Sequence, residues 1–191
     1  MSETAGLALL AGAQAQAVRA AAPGALVGES IKPNIFGGDL ICRSRALDPQ
    51  SVVALDGVTE ADWAIFETIA EGQGASKGPG GIYRCLLLSV MEGTPAAVSA
   101  QFERETIGMP DHISTILRWR LARVTASGGA RRWTHVWEQE FADPEGFSGE
   151  YMLHAYHWSF IDRWFDIESP ERIVDRRICN SLCPIDRPVL F

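Results

Sequence analysis

The sequence predicts an α+β fold, ferredoxin-like and arranged as two tandem halves, the first of them degenerate. Three observations carry this expectation. After a glycine-rich linker, Gly72 to Gly81, the elements read in the order β-α-β-β-α-β. A shift of 95 residues lays parts of the N-terminal third onto that second half. The stretch from Trp133 to Asp166 gathers three of the four histidines and four of the six tryptophans around a strand followed by a helix.

In chain order, Ala-rich Thr4 to Ala22 reads as a helix ending near Pro23-Gly24. Ala25 to Ile31 reads as a strand, Pro33 to Gly38 as a loop, and Leu40 to Ala46 as a second strand. Asp48-Pro49 turns the chain. Thr59 looks like an N-cap, with Trp63, Phe66 and Ile69 on one helical face. Past the linker, Ile82 to Val90 is a strongly apolar strand. Thr94-Pro95 opens a helix that ends near Gly108-Met109-Pro110. Leu117 to Val124 is a strand, and Thr134 to Phe141 another. The latter places His135, Trp137, Gln139 and Phe141 on one face and Thr134, Val136, Glu138 and Glu140 on the other. Asp143-Pro144 breaks it. Tyr151 to Phe165 reads as a helix with Trp158, Ile161, Trp164 and Phe165 at helical spacing. Arg172 to Cys179 reads as the last strand.

The 95-residue shift brings Leu26 onto Leu121, Asp48-Pro49 onto Asp143-Pro144 and Trp63 onto Trp158. The expected units are a half at 4–72 lacking its opening strand, a linker at 73–81, a complete domain at 82–180 and a tail at 181–191. The first half lacks the second's chemistry: Leu40 stands for His135, Asp56 for Tyr151, Thr59 for His154 and Asp62 for His157.

Composition sets the outer bounds. A chain of 191 residues, 47% hydrophobic and 21% charged, is ordinary for a globular protein. A net charge of −7 without a basic block argues against nucleic acid as a partner. Ala5 to Ala22 contains Gln14, Gln16 and Arg19 and has no basic start, unlike a secretory signal, and no long apolar run suggests a membrane span. Cys42 and Cys85 lie in apolar strands, and Cys179 and Cys183 have no second pair at zinc-finger spacing, so free thiols and a cytoplasmic location are expected.

The ordered residues Thr134, His135, Phe141, Tyr151, His154 and His157, in the pattern T-H-V-x-x-x-x-F then Y-x-x-H-x-x-H, resemble the stress-responsive dimeric α/β-barrel family. That family includes plant stress proteins and olivetolic acid cyclase-like polyketide cyclases. The resemblance covers about residues 81 to 180 and implies a barrel made from two ferredoxin-like sheets, usually as a homodimer. It places His157 as base and Tyr151 as its partner in a cofactor-free aldol-type condensation, with His135 and His154 as further site residues that position the ligand. Arg84, near a position where the cyclase has histidine, could anchor a substrate carboxylate in a pocket or, on the surface, only solvate a strand end. The chain departs from the family at Ala155, where proline is usual. On an unbroken helix, Tyr151 and His157 would point roughly 120° apart, so the pair requires a break between them.

The residue chemistry agrees with the resemblance. Histidine exchanges a proton near neutrality and a phenol can hold an enolate oxygen. His154 and His157, with Glu150 nearby, could instead ligate zinc or iron, but H-x-x-H without a firm third ligand does not select a metal. The expectation is a small acid/base enzyme of cyclase, lyase or decarboxylase type, without cofactor or metal, acting on an aromatic or polyketide-like molecule. The competing reading is a non-catalytic stress-response or ligand-binding barrel. A homodimer is expected, with the edge left by the missing strand covered by Pro184 to Phe191 or by a second chain.

Overall fold

A computed structural model describes residues 4–191. Their strands form one antiparallel sheet of nine, in the order β2-β4-β1-β5-β7-β8-β6-β9-β3. The first half of the chain supplies β1 (Thr4–Ala11), α1 (Ala15–Ala21), β2 (Leu26–Glu29), β3 (Ile31–Ile35), β4 (Leu40–Ser44), α2 (Gln50–Val53) and β5 (Glu60–Gln73). The second supplies β6 (Ile82–Leu88), α3 (Ala96–His112), β7 (Arg118–Gly128), β8 (His135–Phe141), the short α4 (Pro144–Gly146) with the helical turns that follow it, and β9 (Cys179–Pro184).

The two ends of the sheet, β2 and β3, are consecutive in sequence, so the sheet curls into a nearly closed barrel within one chain. Ser30, between them, bonds Ser181 of β9 through their hydroxyls at 2.7 Å. At Gly28 a Cβ would lie 2.7 Å from Cβ of Cys183, so only glycine permits this approach. The barrel interior is one core, with Leu7, Ile41, Phe66, Tyr83 and Val136 among its members. Helices α1 and α2 cover the outer face of the first half with Val18 and Val52. Helix α3 and the aromatic segment cover that of the second half with Phe102, Met109, Tyr151 and Trp164. Strands β6 and β8 lie between the interior and the helical layer, which is why every residue in them is buried.

Several expectations are corrected. Thr4 to Ala22 is not one helix: Thr4–Ala11 is β1, between β4 and β5 at a central position of the sheet. Alanine and leucine are good helix formers, but propensity is a weak determinant, and pairing on both sides overrides it. Gly12, at φ +77°, separates strand from helix. The first half therefore does not lack its opening strand, and the open edge expected from that loss does not arise. The Thr59 helix is instead β5: Phe66 enters the barrel core while Trp63 packs with the outer one, an alternation of period two. The ungapped shift consequently fails at Trp63, on a strand, against Trp158, in a helical segment. Residues 31–35 form an edge strand in place of a loop, a position that tolerates Pro33. The last strand begins at Cys179 instead of ending there, after an irregular stretch with a single bridge from Val174 to Val90. Trp158 is 54% exposed and does not share the buried face of Ile161 and Trp164.

The glycine-rich segment is packed closely. Gly74 donates its N–H to Leu117 O at 3.0 Å and Gly81 to Phe141 O at 2.9 Å. The C-terminal tail packs into the barrel: Val189 and Leu190 each donate N–H to Glu140 Oε1 at 2.7 Å, and Leu190 is fully buried in the interior core. All four cysteines are buried free thiols. No helix among the described residues is long and apolar enough to cross a membrane.

The interior also holds charge. Glu138 on β8 accepts from Arg43 Nε on β4 at 2.9 Å and from the Tyr83 hydroxyl at 2.6 Å, both on Oε1. Arg120 reaches Glu138 at 3.7 Å and pairs with Glu71 at 2.7 Å. Removing one partner of such a pair strands a buried charge. Arg43→Met is expected to lower unfolding free energy by about 3 kcal/mol, and the double change Arg43→Met with Glu138→Leu to recover most of it. Urea denaturation of the three proteins checks both values.

Candidate functional site

The outer faces of β6, β8 and β9 form the floor of a cavity of about 340 Å³. Register sets the floor: Arg84 lies opposite Gln139, and Leu86 opposite Trp137 on one side and Asn180 on the other. Phe102, Thr106 and Met109 of α3 form one wall, and Tyr151, His157 and Ile161 of the aromatic segment form another. Pro33 and Ile35 of β3 bring the first half of the chain to the rim. The site therefore sits between the sheet and its helical layer, outside the barrel interior.

The aromatic segment is broken where the paired geometry needs it. Asp143 caps its start, accepting from Gly146 N–H at 2.8 Å, with Pro144 in the first helical position. A wide π turn carries Phe147–Tyr151, regular helix stops at His154, and a second π turn carries His157–Ile161. His154 acts as the N-cap of the new start: its Nδ1 accepts from Tyr156 N–H at 3.1 Å, and its carbonyl accepts from Trp158 N–H at 3.3 Å. A histidine cap thus opens the new turn at Ala155 without a proline. Across the break the rings of Tyr151 and His157 meet edge to face, with centroids 5.1 Å apart.

Arg84 ties this pair to the sheet. Its Nη1 donates to the Tyr151 hydroxyl at 3.0 Å and to Gln139 Oε1, and its Nε donates to Asn180 Oδ1 at 2.7 Å. The guanidinium also faces the rings of Phe147 and Tyr151, at 5.0 and 5.2 Å. The phenolic oxygen accepts from arginine, which leaves its own proton free to donate. Burial, and then the charge of Arg84, lowers the His157 pKa to about 4, so the imidazole is neutral at pH 7. Its Nδ1 is buried and has no hydrogen-bond partner.

Of the five candidate residues, Arg84, Tyr151 and His157 come together on the cavity. His135 and His154 do not line it. His135 lies further along β8, where Nε2 meets Glu103 Oε1 at 3.1 Å and Nδ1 meets Thr134 Oγ1 at 2.9 Å, with its ring against Phe102. Burial raises the Glu103 carboxyl, but the bonds from His135 and Arg123 outweigh it and hold the pKa at about 2. His154 serves the backbone as a cap. Their expected role in positioning ligand is corrected accordingly. Glu150 bonds Ser114 through N–H and hydroxyl, both at 3.0 Å, and no cluster of metal-ligating side chains forms among the described residues.

Sequence reasoning missed Trp137, Asn180 and the rim residues Pro33 and Ile35 as site residues. Trp137 shares the strand face read for His135 and could have been found from it. Asn180 fell beyond the expected last strand, and Pro33 in an expected loop.

Residues 82–177 match the family of the Stress Responsive A/B Barrel Domain. No protein of curated function matches the sequence. Among solved structures, an anthrone oxidase-like protein is similar over 96% of this chain and 93% of its own, at TM-score 0.65 and 8% identity. A major regulator of staphylococcal pathogenesis is similar over 96% and 99%, at TM-score 0.53 and 15% identity. A variant of chlorite dismutase from Candidatus Nitrospira defluvii is similar over 95% and 91%, at TM-score 0.53 and 11% identity. At such identities these likenesses establish the fold alone. The matched residues span half of the chain and include the cavity's arginine, tyrosine and histidine; the chain belongs to the Stress Responsive A/B Barrel Domain family.

Proposed function

We propose that the chain is a small acid/base enzyme of cyclase or lyase type, acting without cofactor on an aromatic or polyketide-like molecule. The observation that carries this reading is the Tyr151–His157 pair, brought together on an apolar cavity by the break at His154. The cavity volume of about 340 Å³ lies at the lower end of the roughly 300–1,000 Å³ usual for small-molecule pockets. Neutral His157 would take a proton from the carbon beside a substrate carbonyl. The Tyr151 hydroxyl, oriented by Arg84, would donate to the developing enolate oxygen. The enolate carbon then attacks a second carbonyl of the same molecule, whose oxygen takes up the proton. The olivetolic acid cyclase-like type of this family is the version of the reaction we favour. The name of the anthrone oxidase-like neighbour suits the same reading, since anthrone is a flat aromatic ketone.

A second reading has its own support. A histidine held at about 4 is a weak base, and a ligand-binding barrel without turnover needs only the cavity. As to assembly, we infer that a barrel nearly closed within one chain builds this site from a single copy, so a homodimer is not needed to complete it.

The α-carbon of 2-tetralone, a bicyclic aromatic ketone, reports the proton-transfer step as deuterium exchange followed by NMR. The wild-type chain is expected to accelerate exchange. His157→Ala is expected to reduce the catalysed rate by about 10³-fold, and Tyr151→Phe by a smaller factor of about 10², both with unchanged circular dichroism. Binding without acceleration would select the binding-protein reading.

The acid limb of the same rate is expected near pH 4, because His157 must be neutral to act. The imidazole is held below its usual 6.5 in the folded chain, so it contributes stability above pH 6.5, and that contribution is lost as pH falls towards 4. An NMR titration of its ring protons should show a midpoint near 4 that rises in Arg84→Gln.

A further inference from the structure

Arg84 differs from the other buried arginines. It is 6% exposed, yet each of its hydrogen bonds goes to a neutral group: Asn180, Gln139 and Tyr151. Arg43 pairs with Glu138 and Arg120 with Glu71, whereas no carboxylate among the described residues forms an ion pair with Arg84. Asp162 is the single carboxylate on the cavity wall, and it too makes no ion pair with Arg84. A charge removed from water without a counter-ion is costly.

Two N–H donors near Arg84 also lack partners. The Trp137 indole Nε1 and the Gln139 amide Nε2 are buried and have no partner. Both sit on the same face of β8, Gln139 opposite Arg84 and Trp137 two residues away. Of these residues Arg84 and Trp137 line the cavity, and a cation without a counter-ion beside an idle N–H donor is an acceptor-seeking surface. Around it the walls are apolar and aromatic, with Phe147 and Tyr151 already stacked over the guanidinium.

We propose that the cavity selects an aromatic carboxylate, with the carboxylate on Arg84 and the ring system among the apolar walls. This rests on reading the cavity as a ligand site, and it adds the charge of the ligand. It also gives the weak base a means of activation. The charge of Arg84 helps hold His157 down, so an anion on Arg84 offsets that effect and makes the imidazole a stronger base once ligand is bound.

The test compares 2-naphthoate with its neutral analogue 2-naphthamide, titrated calorimetrically into the full chain at pH 7. The anion is expected to bind at least about tenfold more tightly, as loss of a charge-assisted hydrogen bond implies. Arg84→Gln is expected to abolish that preference, the two probes then binding with equal affinity, and Arg84→Lys to keep part of it. Equal affinities in the wild-type chain overturn the anion proposal and leave the aromatic cavity reading intact. Binding of neither probe at millimolar concentration overturns both. An undiminished preference in folded Arg84→Gln overturns the assignment to Arg84. Should that variant fail to fold, the wild-type comparison and Arg84→Lys decide the outcome.

Discussion

The buried carboxylate of Glu138 is the interaction on which the architecture depends. It lies on β8 in the second half and is held by Arg43 on β4 in the first, a contact spanning 95 residues of sequence. Arg43 lies opposite Leu7 on β1, and Glu138 opposite Cys85 on β6. The two meet across the interior because one sheet has curled upon itself. Buried ion pairs are weak evidence for stability, but they penalise any arrangement that separates them. Here that penalty falls on every sheet curvature that moves β4 away from β8.

Strand alternation lets the same β8 serve two layers. Val136, Glu138 and Glu140 face the interior, where the carboxylates hold the opposite half-sheet and the C-terminal tail. Trp137, Gln139 and Phe141 face the helical layer, where Trp137 lines the cavity and Gln139 lies opposite Arg84. A one-residue slip would exchange the faces. It would put carboxylates into the aromatic cavity and Trp137 into the barrel. Interior charge and cavity chemistry thus fix a single register between them.

Much of the second half was legible in the sequence because its signals are local. The alternation in Thr134 to Phe141, the Thr94-Pro95 helix start and the Asp143-Pro144 break are set by neighbouring residues. The first half was harder to read. Thr4 to Ala11 is built of small and apolar residues that suit helix and strand alike, and only pairing with β4 and β5 decides between them. Glu60 to Gln73 mixes both periods. At the site, Arg84, Tyr151 and His157 could be named from pattern and resemblance. His135 was misplaced because a strand face specifies direction and not position along the strand. Its ring lies beyond the cavity's end, against Glu103 of α3, a partner 32 residues away that no local pattern announces.

Ala155 shows how a helix can break where no proline stands. Proline breaks a helix by removing an N–H and by steric exclusion. A side-chain cap reaches the same end by offering the freed N–H a better partner. His154 takes that second route, with Nδ1 on Tyr156 N–H. The two routes differ in strength, since a cap contributes about 1 kcal/mol whereas proline in a helix interior costs about 3 kcal/mol. Packing must hold the rest of the break. Tyr156 supplies part of it, with its ring stacked on His112 at 4.2 Å and its hydroxyl on Glu105 O at 3.0 Å. Both partners belong to α3, the helix that also provides Phe102 and Met109 to the cavity wall. The geometry of Tyr151 and His157 is therefore set jointly by a local cap and by the docking of α3, so a change in either is felt at the site.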